Sequence, residues 1–121
     1  MIKYGDTIAL IGYCGLIYTL SGRSSLPMPQ FFSFQDKIHH AGAFFGMSLL
    51  AWRCFRHWIQ PSLAVRLLSV GFCSVYGATD EWHQAFVAGR HSDVWDWVAD
   101  TLGAGLAMGG LAYFLRSAKA R

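Results

Sequence analysis

The chain has 121 residues, of which 54% are hydrophobic and only 14% charged, against about 25% charged in ordinary soluble domains. That composition argues against a typical soluble domain of this size and reads as a small integral membrane protein. The formal net charge of +3 comes without a basic stripe interleaved with stacking aromatics, which argues against nucleic acid as a partner. Cys14, Cys54 and Cys73 lie within or at the ends of apolar segments without paired spacing, so they read as reduced packing residues rather than a disulfide or a metal set.

The first apolar segment, about 2–20, is interrupted only by Lys3 and Asp6, and Gly5, Gly12 and Gly15 suit close helix packing. A cleavable signal peptide would also start basic and turn apolar. No clear small-x-small cleavage site follows, however, and three further apolar segments need a helical partner, so a retained helix is expected. Ser21 to Gln35, with Pro27 and Pro29, reads as a loop kept at the membrane surface by Phe31, Phe32 and Phe34.

Asp36 stands where an acidic residue favours a helix N-terminus. It opens a second helix, about 36–55, in which Asp36 and His40 share a face by their i, i+4 spacing. The same spacing allows the simpler reading in which Asp36 only caps the helix and His40 is wet at the interface.

The third segment starts near Pro61, and its apolar run from Leu67 to Thr79 covers thirteen residues. That is short of the roughly 20 needed to cross about 30 Å of hydrocarbon. The helix is therefore expected over about 62–87, which carries Asp80, Glu81 and Gln84 into or to the edge of the membrane. An acid there costs at least about 2.5 kcal/mol, so a paired or functional role is the default. Asp80 and Gln84 share one face, while Glu81 points about 100° away.

After a turn at Gly89-Arg90, a fourth helix is expected over about 93–115. Asp93, Asp96, Asp100, Gly103, Ala107 and Gly110 recur at steps of three and four, a stripe that is acidic first and small-residued further in. Trp82, Trp95 and Trp97 read as an interfacial belt.

The stretch from Asp80 to Asp100 holds five of the seven acids. With four crossings, seven of the ten Lys and Arg (Lys3, Arg53, Arg56, Arg66, Arg116, Lys119, Arg121) fall on one side, which the positive-inside rule makes the cytoplasm. Six of the seven acids fall on the other side with Arg23, Lys37 and Arg90. The expectation is one all-α domain over 1–121: a four-helix transmembrane bundle in the bacterial inner membrane, both termini cytoplasmic and the polar cluster facing outward.

Asp36-Lys37-Ile38-His39-His40, then Gly77-Ala78-Thr79-Asp80-Glu81-Trp82-His83-Gln84, then Gly89-Arg90 with Ser92, Asp96 and Asp100-Thr101-Leu102-Gly103 together resemble the VanZ-like family of small bacterial membrane proteins. The resemblance spans about 25–110. It matches Asp36, Lys37 and His40 to the first family motif, Asp80, Glu81 and Gln84 to the second, Gly89 and Arg90 to the third, and Asp96 to the last. Asp100 stands where the family usually has asparagine, which adds a negative charge. The family is named for a protein associated with low-level resistance to the glycopeptide teicoplanin, and its members mostly lack a defined activity. The resemblance therefore implies a cell-envelope setting without fixing a reaction.

Two readings follow for the polar cluster. In one it binds a lipid head group, a cell-envelope component or a glycopeptide-type ligand, or only closes the outer end of the bundle. Asp36, Lys37, Gln84, Arg90, Asp96 and Asp100 would then be the contacts, with Arg90 and Lys37 suited to a phosphate or carboxylate. In the other, a membrane-embedded hydrolase or transferase acts on a phosphorylated or acylated envelope lipid, with Asp80 or Glu81 as general base and His40 as acid. A hard divalent cation between Asp80, Glu81 and Asp96 would suit the oxygen ligands. Alternating-access transport fits poorly, because the charges group at one end rather than the midplane. Oligomeric state is left open.

Overall fold

The computed structural model describes residues 2–22, 31–32, 34–90 and 92–121. The expected loop prolines Pro27 and Pro29, together with Arg23 and His91, lie outside the described residues. Four helices, and among the described residues no strand, make up the chain: α1 Ile2–Ser21, α2 Gln35–Phe55, α3 Ser62–Gln84 and α4 Val94–Lys119. Two of them, α3 and α4, are long and apolar enough to cross a membrane.

The helix ends follow local chemistry. Pro61, in extended backbone, precedes α3, where its missing N–H is no loss. Asp93 caps α4 by accepting from the Trp95 N–H at 2.9 Å. Asp36 does not cap α2: the capping position is Phe34, without a side-chain bond, and Asp36 lies in the first turn.

The third helix ends at Gln84 rather than near 87. The Phe86 and Val87 amides bond back to His83 and Gln84 as turns, and Gly89 turns the chain with φ of 79°, a left-handed conformation that costs glycine little.

The tightest seam joins α2 to α4. A Cβ at Gly103 would collide with the backbone of Ala41, so only glycine lets the two backbones meet there. Ser48 donates to the Ala104 carbonyl at 3.2 Å in the same seam.

Helix α3 is tied to α4 by Trp97 Nε1, which donates to the Ser74 carbonyl at 2.9 Å, and by the Ser74–Thr101 hydroxyl pair at 3.0 Å. Trp97 is thus a half-buried helix–helix tie, whereas Trp82 and Trp95 are exposed. The small-residue stripe of α4 is buried through Ala107 but not at Gly110. Helix α1 packs on α2 and less on α3, and among the described residues it does not touch α4. Its Tyr13 hydroxyl donates to the Ala43 carbonyl at 2.5 Å.

The interior combines apolar groups (Leu10, Ile17, Phe44, Met47, Ala51, Cys54, Cys73, Ala104) with buried Asp6, Asp80, Glu81, Gln84, Asp96 and Asp100. Outside, Val75, Leu102, Leu106 and Phe114 are 61–69% exposed. Cysteines 14, 54 and 73 are free thiols.

Two polar clusters occupy opposite ends of α2. At its C-terminal end, buried Asp6 of α1 pairs with Arg53 Nη2 and His57 Nε2, both at 2.8 Å. The Lys3 ammonium lies 4.8 Å from the Trp58 ring centre. The larger cluster lies at the other end.

Candidate functional site

The first turns of α2 and α4 and the last turn of α3 converge on His40. The i, i+4 step puts Asp36 Oδ1 3.8 Å from His40 Nε2. From α4, Asp96 Oδ2 lies 3.7 Å from the same nitrogen, and Asp100 Oδ1 lies 2.8 Å from Nδ1. From α3, Glu81 Oε1 stands 3.9 Å from Nδ1. One imidazole thus faces four carboxylates on three helices.

Lys37, one residue back on α2, reaches sideways. Its Nζ lies 2.8 Å from Asp93 Oδ2, 2.6 Å from Asp96 Oδ1 and 3.9 Å from Asp36 Oδ2. The lysine expected to help hold an anion is therefore committed to two aspartates. The hydrogen bond from Lys37, aided by that from the Trp95 amide, holds the Asp93 carboxyl below the usual aspartate range. Glu81 accepts the Asp93 backbone N–H through Oε2 at 3.0 Å, which ties the end of α3 to the cap of α4.

Asp80 belongs to a separate group. Its Oδ1 accepts from the Ser21 hydroxyl of α1, and Gln84 Nε2 lies 3.4 Å from both Ser21 Oγ and Asp80 Oδ2. The roughly 100° step per residue that separates Asp80 from Glu81 sends one to α1 and the other to His40.

The sets able to hold a cation are Asp36–His40–Asp96 and His40–Glu81–Asp100, with one ligand atom from each residue and all within 4.8 Å. Asp80 joins neither, so the Asp80–Glu81–Asp96 arrangement does not form.

Two carboxylate oxygens in this cluster, Glu81 Oε1 and Asp100 Oδ2, are buried without a hydrogen-bond partner among the described residues. Asp100 fits only because α3 has Gly77 opposite it. A Cβ there would lie 2.8 Å from Oδ2.

Beside the cluster, between α1, α2 and α3, lies a cavity of about 390 Å³. Ile17, Leu20, Ile38, Ala43 and Phe44 give it an apolar part, and Asp36, His40, Asp80, Gln84 and Arg90 a polar one. Ser21 and Gly42 also line it.

Of the residues expected from the sequence, Asp36, Lys37, His40, Glu81, Asp96 and Asp100 come together around His40. Asp80, Gln84 and Arg90 sit on the cavity side. Sequence reasoning missed Ser21 as the partner of Asp80, and Asp93 as a partner of Lys37. Asp93 had a signal, since it begins the acidic stripe of α4. Ser21 had none, being one serine at the start of a Ser-Gly loop.

The VanZ/LLP1 family model matches residues 9–116, which contain all of these groups. No curated protein and no solved structure matches the chain significantly.

Proposed function

The chain belongs to the VanZ/LLP1 family, and from that premise we propose that it is a multi-pass membrane protein that binds an amphipathic cell-envelope ligand. The observation that carries this reading is the two-sided cavity, which offers an apolar chain a wall of Ile17, Leu20 and Phe44 and a polar head the side chains of His40, Asp80, Gln84 and Arg90. Arg90 brings to that lining a planar guanidinium of the kind that recognises a phosphate or carboxylate.

All four helices are taken to cross the membrane. Large apolar side chains face outward on every one of them, including Ile8 and Ile11 of α1 and Phe45 of α2, while Asp6, Asp80, Glu81, Asp96 and Asp100 turn inward, the distribution that hydrocarbon favours. The Lys/Arg bias supports termini in the cytoplasm and a site outside. A cysteine at Ser92 should then react with an impermeant maleimide added to intact cells, and a cysteine at His57 only after lysis. The reverse result would overturn the orientation.

Ligand binding is tested by filling the cavity. A Cβ at Gly42 meets nothing within 4 Å, so Gly42→Leu should fold normally and occupy the apolar part. Photo-crosslinking to a phospholipid with a diazirine in its acyl chain, performed with chelator present and mapped by mass spectrometry, should lose the adducts on the cavity residues Ile17, Leu20 and Phe44 while keeping those on the outward faces. Undiminished labelling of those cavity residues would sink the reading.

A second reading, a hydrolase or transferase acting on a phosphorylated or acylated envelope lipid, draws support from the bond between Ser21 and buried Asp80. A hydroxyl beside a carboxylate can act as a nucleophile with a nearby base. It predicts a covalent adduct on Ser21 that is absent in Ser21→Ala.

A further inference from the structure

We propose that Asp36, His40 and Asp96 form a site for a divalent transition cation of the zinc or manganese class, with His40 Nε2 and one oxygen of each aspartate as ligands. Asp100 is the positioning residue that orients the imidazole. The inference stands apart from the cavity reading, because a cation can bind there whether or not an amphipathic ligand does.

The geometry starts at Nδ1. At 2.8 Å from Asp100 Oδ1, Nδ1–H is donated to a buried carboxylate, so the Nε2 lone pair points away from it. A carboxylate behind the imidazole in this way is the usual support of a metal-binding histidine. Nε2 then faces Asp36 Oδ1 at 3.8 Å and Asp96 Oδ2 at 3.7 Å. Both distances are too long for a hydrogen bond. A proton on Nε2 would therefore bond neither aspartate, although both stand around it at almost equal range. Ligands about 2.0–2.2 Å from a tetrahedral metal lie roughly 3.4 Å apart; the two His40–aspartate distances exceed that by a few tenths of an ångström, and all three ligand atoms lie within 4.8 Å of one another.

The charge balance gives independent support. Asp36, Glu81, Asp93, Asp96 and Asp100 surround Lys37 and His40, and Lys37 is taken up by Asp93 and by Oδ1 of Asp96. That leaves Asp96 Oδ2 for another cation. Glu81 and Asp100, 6% and 0% exposed, each keep one buried oxygen without a hydrogen-bond partner among the described residues, and that of Glu81 lies 3.9 Å from Nδ1, on the Asp100 side of the ring. Buried carboxylate oxygens are ordinarily paired, and a dication against His40 offsets this excess negative charge. The His40–Glu81–Asp100 set is the poorer site, because its imidazole nitrogen is already bonded. Asp36, with a side chain 48% exposed, lines the cavity with His40. The cavity thus supplies both an entry path and an open coordination position. A nitrogen with two carboxylate oxygens suits zinc or manganese better than calcium, which prefers oxygen alone.

The test uses the full chain in detergent, stripped with a chelator and titrated with zinc alone by calorimetry. One equivalent should bind with proton release. Asp36→Asn, at a partly exposed position, should weaken binding by about 100-fold or more, and Asp100→Asn by about tenfold, the effect of loosening a supporting partner. Zinc X-ray absorption on the unmutated protein needs no variant to fold, and should show one imidazole nitrogen with an otherwise oxygen shell. Absence of stoichiometric zinc, equal affinity in Asp36→Asn, or a shell with sulfur or a second imidazole would each overturn the site.

Discussion

At one end of the bundle a single buried acid, Asp6, meets two cationic partners at 2.8 Å. At the other, five carboxylates crowd around one lysine and one histidine, and two buried oxygens are left over. Both ends bury charge next to apolar helices, but among the described residues only the first gives every buried carboxylate oxygen a hydrogen-bond partner. A self-neutralised cluster explains itself as structure, since pairing is what keeps a charge tolerable away from water. A cluster left with surplus charge is held in that state by the fold around it, and that is the state the proposed cation would relieve.

The contrast can be broken by substitution in metal-free protein, followed by thermal unfolding in detergent. The largest loss is expected from Lys37→Met, which leaves buried Asp96 without its ammonium partner and should cost about 2 kcal/mol, between the values for an exposed and a buried ion pair. Asp6→Asn should cost less, because Arg53, half-exposed, can turn to water.

Glu81→Gln should do the opposite of both. Its amide oxygen can still accept the Asp93 N–H while one surplus charge disappears, so stability should hold or rise by up to about 1 kcal/mol, in the manner of functional residues kept at a cost in stability. A drop in stability of Glu81→Gln as large as that of Lys37→Met would erase the distinction between the two ends.

Much of this was legible from local spacing. The apolar segments mark the helices, and the helical period places Asp36 with His40 and sends Asp80 and Glu81 to different neighbours. The family motifs mark Asp36, His40 and Asp96, with Asp100 at the position where the family usually has asparagine. What spacing does not carry is pairing across distance: Ser21 with Asp80, Lys37 with Asp93, and Asp6 with Arg53 and His57 are 47 to 59 positions apart. Those contacts are set by how the helices pack, and nothing in the segments themselves specifies it. The end of α3 was misplaced for a related reason. Hydrocarbon thickness argues for a longer helix, but the turn after Gln84 brings Asp93 back over Glu81.

The glycine at 103 has a mechanical consequence for the site. Ala41 follows His40 directly, and Gly103 lies one turn after Asp100, so the point where the two backbones touch fixes how far α4 can slide along α2. Slippage by one turn, about 5.4 Å, would bring a residue with a Cβ against the Ala41 carbonyl and stop there. Helices α2 and α4 therefore act as a rigid frame that keeps His40 and Asp100 in register. Helix α1, which does not touch α4, stands outside that frame and is held to α2 and α3 by the Tyr13–Ala43, Tyr76–Cys14 and Ser21–Asp80 bonds, so the cavity wall it supplies is set independently of the histidine's register.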